Sequence, residues 1–289
     1  MVSGVVIARL FLEKRIDVSD LNFNLHAAGV LAPGMESLAE LRSACRNNRP
    51  LEFRAPLQLV SPQMLPANER RRASQVVRLT QACIEQVLQS CPFPVESLRS
   101  VFATDEGTGE VCQQIFEALA TTRQVSPLIF ANSVQNAPSG YFSIAWQNRQ
   151  SSTVVSMGVE SFASGLLCAV TEAIATKQAV LLVAYDPAMA SPMDELLPIR
   201  EATATAWIIS GTEISTSRPV LGSFALELER TGVNTLSIWP AWLPTAWSAN
   251  SSAVGLAALG LLEATAETTY RMAFGAQLLG LRRLDGDIS

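Results

Sequence analysis

The hydrophobic and polar positions of this chain fall into short apolar runs separated by segments with helical spacing. Ala179–Asp186 (AVLLVAYD) is almost continuously apolar, the pattern of a central strand buried on both faces. Val5–Leu12, Ser100–Thr104, Ser152–Ser156, Ala202–Ser210 and Leu221–Leu228 read as further strands, and Phe274–Leu284 as a closing one. Pro66–Leu88 predicts a helix with Pro66 near its start and an apolar face of Val76, Val77, Leu79, Ala82, Cys83, Ile84 and Val87. Helices are also expected over Glu110–Ala120, from about Asn136, and over Ser251–Thr265. Asn22–Val60, of mixed polarity with several Pro and Gly, reads as irregular; Gly232–Thr245 reads as a loop. Strands alternating with helices predict a layered α/β fold.

One stretch bears on chemistry. Ser156–Ile174, SMGVESFASGLLCAVTEAI, has the form of a strand leading through small residues into a buried helix. The N-terminus of such a helix favours negative charge and so suits a nucleophile. Phe162 stands at that place. Ser161 or Ser164 could attack instead, with Glu160 as base, giving an acyltransferase or thioesterase. Neighbouring residues on a sharp turn point in different directions, however, and Ser164 suits the task of satisfying backbone groups at the helix start. Cys168, two turns into an apolar helix, is expected to be a buried, inert thiol. FASGLLCAVTEA is echoed by SSAVGLAALGLLEA, which suggests duplicated halves.

Composition narrows the function classes. Of 289 residues, 16% are charged and 48% hydrophobic, and the mean hydropathy is +0.23. These values predict an obligate oligomer with an apolar interface. A net charge of −5 argues against nucleic acid as a partner. Arg9 and Glu13 interrupt the first apolar stretch, and no run of ~18 uncharged apolar residues follows, so neither a secretory signal nor a membrane span is expected and the location is read as cytoplasmic. The five cysteines are scattered without metal-ligand spacing, so no metal or cofactor is expected. The single histidine, His26, lies far upstream of the elbow and has no evident catalytic context. The loop DEGTGE lacks the lysine and spacing of a phosphate cradle. Arg70, Arg71 and Arg72 read as a solvated helix face, or as a dock for an acidic partner.

Several segments in order resemble one family. SFASGLLCAVTEA followed by AVLLVAYD is similar to the nucleophile region of thiolase-fold β-ketoacyl synthases. VFATDEGTGEVCQQIFEAL, VSPLIFANSVQNAPSGYFSIA and ERRRASQVVRLTQACIEQVL look like the subgroup with the β-ketoacyl synthase-like N-terminal domain. The resemblance covers about Pro66 to Asp186 well. It implies a thiolase-like layered fold (α/β/α/β/α) with a shortened second half: a first half over 1–210, carrying the elbow, and a truncated second half over 211–289, in one compact unit. Active members read Cys-x-Ser/Thr-Gly at the elbow and use two histidines from the second half. Laid on this chain, Ser164 and Gly165 match the Ser/Thr-Gly pair, the cysteine position holds Phe162, and no histidine pair exists downstream.

The resemblance therefore implies a non-catalytic subunit, most like the chain-length-factor partner of the ketosynthase in aryl polyene biosynthesis. Such a subunit forms a heterodimer with an active β-ketoacyl synthase, meets acyl carrier protein indirectly, and shapes the acyl tunnel. Edge-to-edge pairing through Thr153, Val154 and Val155, with Phe130, Tyr141, Phe142 and Trp146 at the interface or tunnel, is the expected arrangement. Phe162 is expected to plug this subunit's own pocket. A homodimeric scaffold without a role in elongation is the other non-catalytic reading.

Overall fold

Every residue of the strand Val180–Asp186 (β4) is buried, and alternate side chains enter two different cores. Val180, Leu182 and Ala184 face one, while Leu181, Val183 and Tyr185 face the other. This double burial explains the continuous apolar run, since a strand with helices on both sides has no polar face. The structure is a computed structural model that describes residues 21–49, 56–59, 61–232, 234–265 and 268–284. The expected strand at Val5–Leu12 lies outside the described residues.

In chain order the elements are β1 (Leu21–Leu31), α1 (Leu38–Asn47), α2 (Ala67–Arg72), α3 (Gln75–Leu88), β2 (Arg99–Ala103), α4 (Gly109–Thr121), α5 (Pro127–Ala131), α6 (Ala137–Trp146), β3 (Ser152–Val155), α7 (Ser161–Thr176), β4, β5 (Thr203–Gly211), β6 (Gly222–Arg230), α8 (Ser251–Leu259), β7 (Thr269–Phe274) and β8 (Gln277–Arg283). The strands run β3-β2-β4-β5-β1-β6-β8-β7 across one sheet. The pairs β3/β2 and β2/β4 are parallel and the rest antiparallel.

Strand β1 joins the two parts of this sheet. Leu21–Leu25 pairs with β6 on one side, and a bulge between Leu25 and Ala27 shifts the register against β5. A bulge bends and twists its strand. One core gathers α7, α8 and the inward faces of β6, β7 and β8, with Phe162, Trp207, Leu256, Met272 and Leu279 buried together. The other gathers α3 and α6 on the far face of the first strands, around Phe102, Phe142, Tyr185 and Ile208. The order helices, strands, buried helices, strands is the layering that a thiolase-like fold requires. Gly158–Thr176 is long and apolar enough to cross a membrane, yet within it α7 is a core helix, packed on β2, β4 and β5 with β7 also in contact.

Four expectations need correction. Asn22–Val60 contains a long strand and a helix rather than irregular chain. Leu21–His26 alternates apolar with polar, and the bulge between Leu25 and Ala27 breaks that alternation over the rest of β1. Helix α1 begins at Ser37, whose Oγ accepts from the Glu40 N–H at 3.2 Å, a capping arrangement that was present in the sequence as Ser-x-x-Glu. The helix expected over Pro66–Leu88 is two helices, because Ala73 takes extended backbone angles. The closing strand is a hairpin that turns at Gly275, where φ is +58°. The apolar helix after Ser251 ends at Leu259 and continues as a 3-10 turn to Glu263.

Two features set stability. Gly165 brings α7 so close to β2 that a Cβ there would lie 2.6 Å from the Cβ of Ala103. Replacement by Val is expected to cost about 3 kcal/mol or more in denaturant unfolding, because helix and sheet must separate. His26 is nearly buried, bonded through Nε2 to Ser210 Oγ at 2.8 Å and edge-on to Phe93. Burial lowers its pKa to about 4. The unfolded chain takes up the proton first as pH falls, so this contribution is whole above about pH 6.5 and is lost between there and about pH 4. A melt series across that window should show wild type losing up to about 2 kcal/mol relative to His26→Asn, whose profile should be flatter.

Candidate functional site

The elbow forms because β3 ends at Val155 and the chain reverses through Met157, Gly158 and Val159 before α7 begins. Gly158 has φ +61°, a conformation that favours glycine. Ser161 secures the turn: its hydroxyl donates to the Gly158 carbonyl at 2.7 Å and accepts from the Met157 N–H at 2.8 Å. Ser161 has no exposed surface. Ser161 is engaged on both sides, and the backbone-satisfying role expected of Ser164 is filled by Ser161. Ser164 is half-buried in the first turn of the helix, where its own N–H bonds the Glu160 carbonyl. Glu160 does not serve either serine as a base; its Oε2 accepts from the Gly275 N–H at 2.8 Å and ties the last hairpin to the elbow.

Phe162 stands at the head of α7 and is fully buried. Its ring meets Trp207 at 5.3 Å in an edge-to-face arrangement. On α8 it meets Gly255, where a Cβ would lie 2.6 Å from the Phe162 ring and 2.6 Å from Thr205. The Phe162 N–H donates to Ser251 Oγ at 2.8 Å. The head of this buried helix thus holds a hydrocarbon ring. The backbone donor beside it, which could otherwise stabilise an oxyanion, is already satisfied by a buried hydroxyl.

Behind the ring lies a polar network that reasoning from the sequence missed. Asp186, at the end of β4, accepts from the Asp105 N–H at 2.9 Å, Thr104 Oγ1 at 3.2 Å and the Ser252 N–H at 2.7 Å. Burial raises its pKa, against the opposing effect of these hydrogen bonds. Ser252 in turn shares a 2.6 Å hydrogen bond with Thr203. The carboxyl clamps the loop after β2 to the start of α8, where the helix dipole favours it. The aspartate closing an apolar strand was visible in the sequence; its partners come from two distant segments, Thr104–Asp105 and Ser252, and were not.

His26 bonds Ser210 and packs on Phe93, none of which belongs to this constellation. Cys168, expected to be buried, is half-buried, and the burial it has pushes its thiol up to about 11. Among the described residues no group of three or more His, Cys, Asp or Glu could hold a metal ion.

The expected interface residues divide. Thr153, Val154 and Val155 are half-buried on β3, the terminal strand of the sheet. Phe130 is 66% exposed, and Tyr141 and Trp146 are half-buried. Phe142 is a correction: it is 1% exposed and packs against Phe102 in this chain's own core, 6.3 Å between ring centres. Exposed apolar side chains that the sequence reading passed over lie nearby in the chain: Phe116 and Leu119 on α4, Leu128 on α5, Val134 and Ile144. Helices α4 and α5 pack together. The side chains of the three arginines of α2 contact Gln63 (Arg70), Asn68 (Arg71) and Glu69 (Arg72).

Comparison with known proteins accords with this geometry. No curated protein matches. Among solved structures, a ketosynthase (ApeO) in complex with its chain length factor (ApeC) from Xenorhabdus doucetiae is similar at 20% identity, covering 91% of this chain and 99% of that one with a TM-score of 0.64. The ishigamide ketosynthase/chain length factor is similar at 11% identity, 91% and 100% coverage and a TM-score of 0.71. A type II polyketide synthase acyl-carrier protein in complex with its ketosynthase (AntDE:AntF) gives 10% identity, 91% and 99% coverage and a TM-score of 0.68. At these identities the likeness is one of fold, which is thiolase-like. The model of the β-ketoacyl synthase N-terminal domain matches residues 45–231, well over half of the chain, and the protein belongs to that family.

Proposed function

We propose that this chain is a non-catalytic, chain-length-factor-like subunit that pairs with an active β-ketoacyl synthase and shapes the acyl tunnel during chain elongation on acyl carrier protein, with polyene chains as the product class. The observation that carries this reading is Phe162. A benzyl side chain has no lone pair with which to form an acyl-enzyme, and the ring, Gly255 and Ser251 together fill the space and occupy the donor that such chemistry needs. With the only histidine engaged elsewhere, decarboxylation has no imidazole to assist it. The chain is read as one compact unit of two parts, 1–210, which carries the elbow, and 211–289.

The pairing surface is the β3 edge with Thr153, Val154 and Val155, flanked by Phe130, Tyr141 and Trp146. Unpaired backbone along an edge strand is a template for a partner strand, and exposed apolar side chains such as Phe116, Leu128 and Phe130 mark an interaction surface. Phe142 supports that surface from beneath.

Co-expression with the cognate active synthase should yield a stable heterodimer by gel filtration and restore solubility to a chain that behaves poorly alone. A soluble, stable chain that never co-purifies with a synthase overturns the proposal. The double variant Leu128→Asp with Phe130→Asp, at exposed positions, should reduce recovered heterodimer at least tenfold while leaving the far-ultraviolet dichroism of this chain unchanged.

A further inference from the structure

Among the described residues the sheet ends at β3 and β7, and the two ends are finished differently. A strand residue turns its N–H and C=O to one side, and the next residue turns them to the other. On β7 the groups of Arg271 turn away from β8 toward the loop segment 234–238, where Ser237 takes both. The Ser237 N–H donates to the Arg271 carbonyl at 3.1 Å, and its Oγ accepts from the Arg271 N–H at 2.9 Å. The same Oγ lies 3.5 Å from the Thr269 carbonyl. On β3, by contrast, the carbonyls of Ser151 and Val155 face the β2 side, where Ser100 and Thr104 bond them, so Val154 turns outward. Among the described residues nothing bonds the Val154 backbone on that outer side.

Ser237 is a cap and not a strand residue. A ladder propagates when one residue gives its own N–H and its own C=O to the residue opposite. Ser237 gives its N–H but offers a side-chain oxygen in place of its carbonyl, so the ladder stops there. Leu236 and Ile238, on either side of it, are 54% and 92% exposed. Trp239 anchors the segment, its indole N–H donating to the Pro244 carbonyl at 3.2 Å.

This edge needs a cover. Strand β7 reads TYRMAF, rich in strand-forming side chains and without proline, and its one charge, Arg271, is drawn back to Glu229 at 2.7 Å. Gly280 of β8 clears the path, since a Cβ there would stand 2.5 Å from the Glu229 carboxylate. An outward charge or a proline is an ordinary guard of a free edge, and β7 has neither. Bare, it would combine unpaired backbone with the exposed apolar side chains of Leu236 and Ile238.

We propose that Ser237 seals the β7 edge against a second copy of this chain and so leaves β3 as the one edge through which the sheet is extended. Two open edges allow head-to-tail growth without closure, whereas one open edge closes after a single pairing. The seal rests on the geometry of β7 and holds whatever the partner at β3.

The variant Ser237→Ala tests it, in the full chain and in the heterodimer with the synthase. Hydrogen exchange read by mass spectrometry over Thr269–Phe274 should quicken at least tenfold at one amide, that of Arg271. Light scattering on a sizing column should show the variant heterodimer approaching twice the wild-type mass as concentration rises, by pairing of two β7 edges. The variant chain alone should form larger species than the wild-type chain. Ser237→Thr keeps the hydroxyl and should match wild type in both readings. Unchanged exchange in Ser237→Ala, faster exchange without added mass, or Ser237→Thr behaving as Ser237→Ala overturns the seal. If no heterodimer forms, the proposed function fails and the same two readings on the chain alone decide the seal.

Discussion

The heads of two buried helices meet at a distance that only glycine tolerates on one side. Gly255 of α8 faces the Phe162 ring of α7 with no room for a Cβ, and Trp207 closes the third side. Because α7 and α8 together separate the first strands from β6, β7 and β8, this contact fixes the spacing of the layers. The Phe162 ring is large enough to hold the helices apart and to fill the core at the head of α7.

Polar groups around that contact are arranged to hold it closed. Ser251 satisfies the Phe162 N–H, Ser161 satisfies the turn before it, and Asp186 binds the start of α8 to the loop after β2. Each of these groups is buried, where an unmet hydrogen bond costs about 1–3 kcal/mol. The network therefore favours one arrangement of the elbow. Glu160 extends the same clamp to the hairpin at Gly275.

Much of this was legible in the chain because it depends on local pattern. The unbroken apolar run of β4, the small residues before α7 and the missing histidine pair are statements about neighbouring residues. What was not legible depends on pairing at a distance. The bulge at Leu25–Ala27 changes the phase of β1, so alternation fails as a signal halfway along the strand. Phe142 and Phe130 are both aromatic residues of one segment, and only the packing of Phe102 beneath α6 sends one inward and leaves the other in solvent. Ser161 and Ser164 differ by less than one helical turn. The reversal at Gly158 brings the Ser161 hydroxyl back onto the backbone of the turn, a consequence of a positive φ that residue type alone suggests but does not locate.

The central claim is that Phe162 leaves this chain without a nucleophile while the fold is retained. Intact-mass spectrometry of the heterodimer after incubation with an acyl-carrier-protein thioester tests it most directly. The account predicts an acyl adduct on the synthase partner and unmodified mass for this chain. A covalent acyl group on this chain, at Ser161, Ser164 or any other residue, would contradict it.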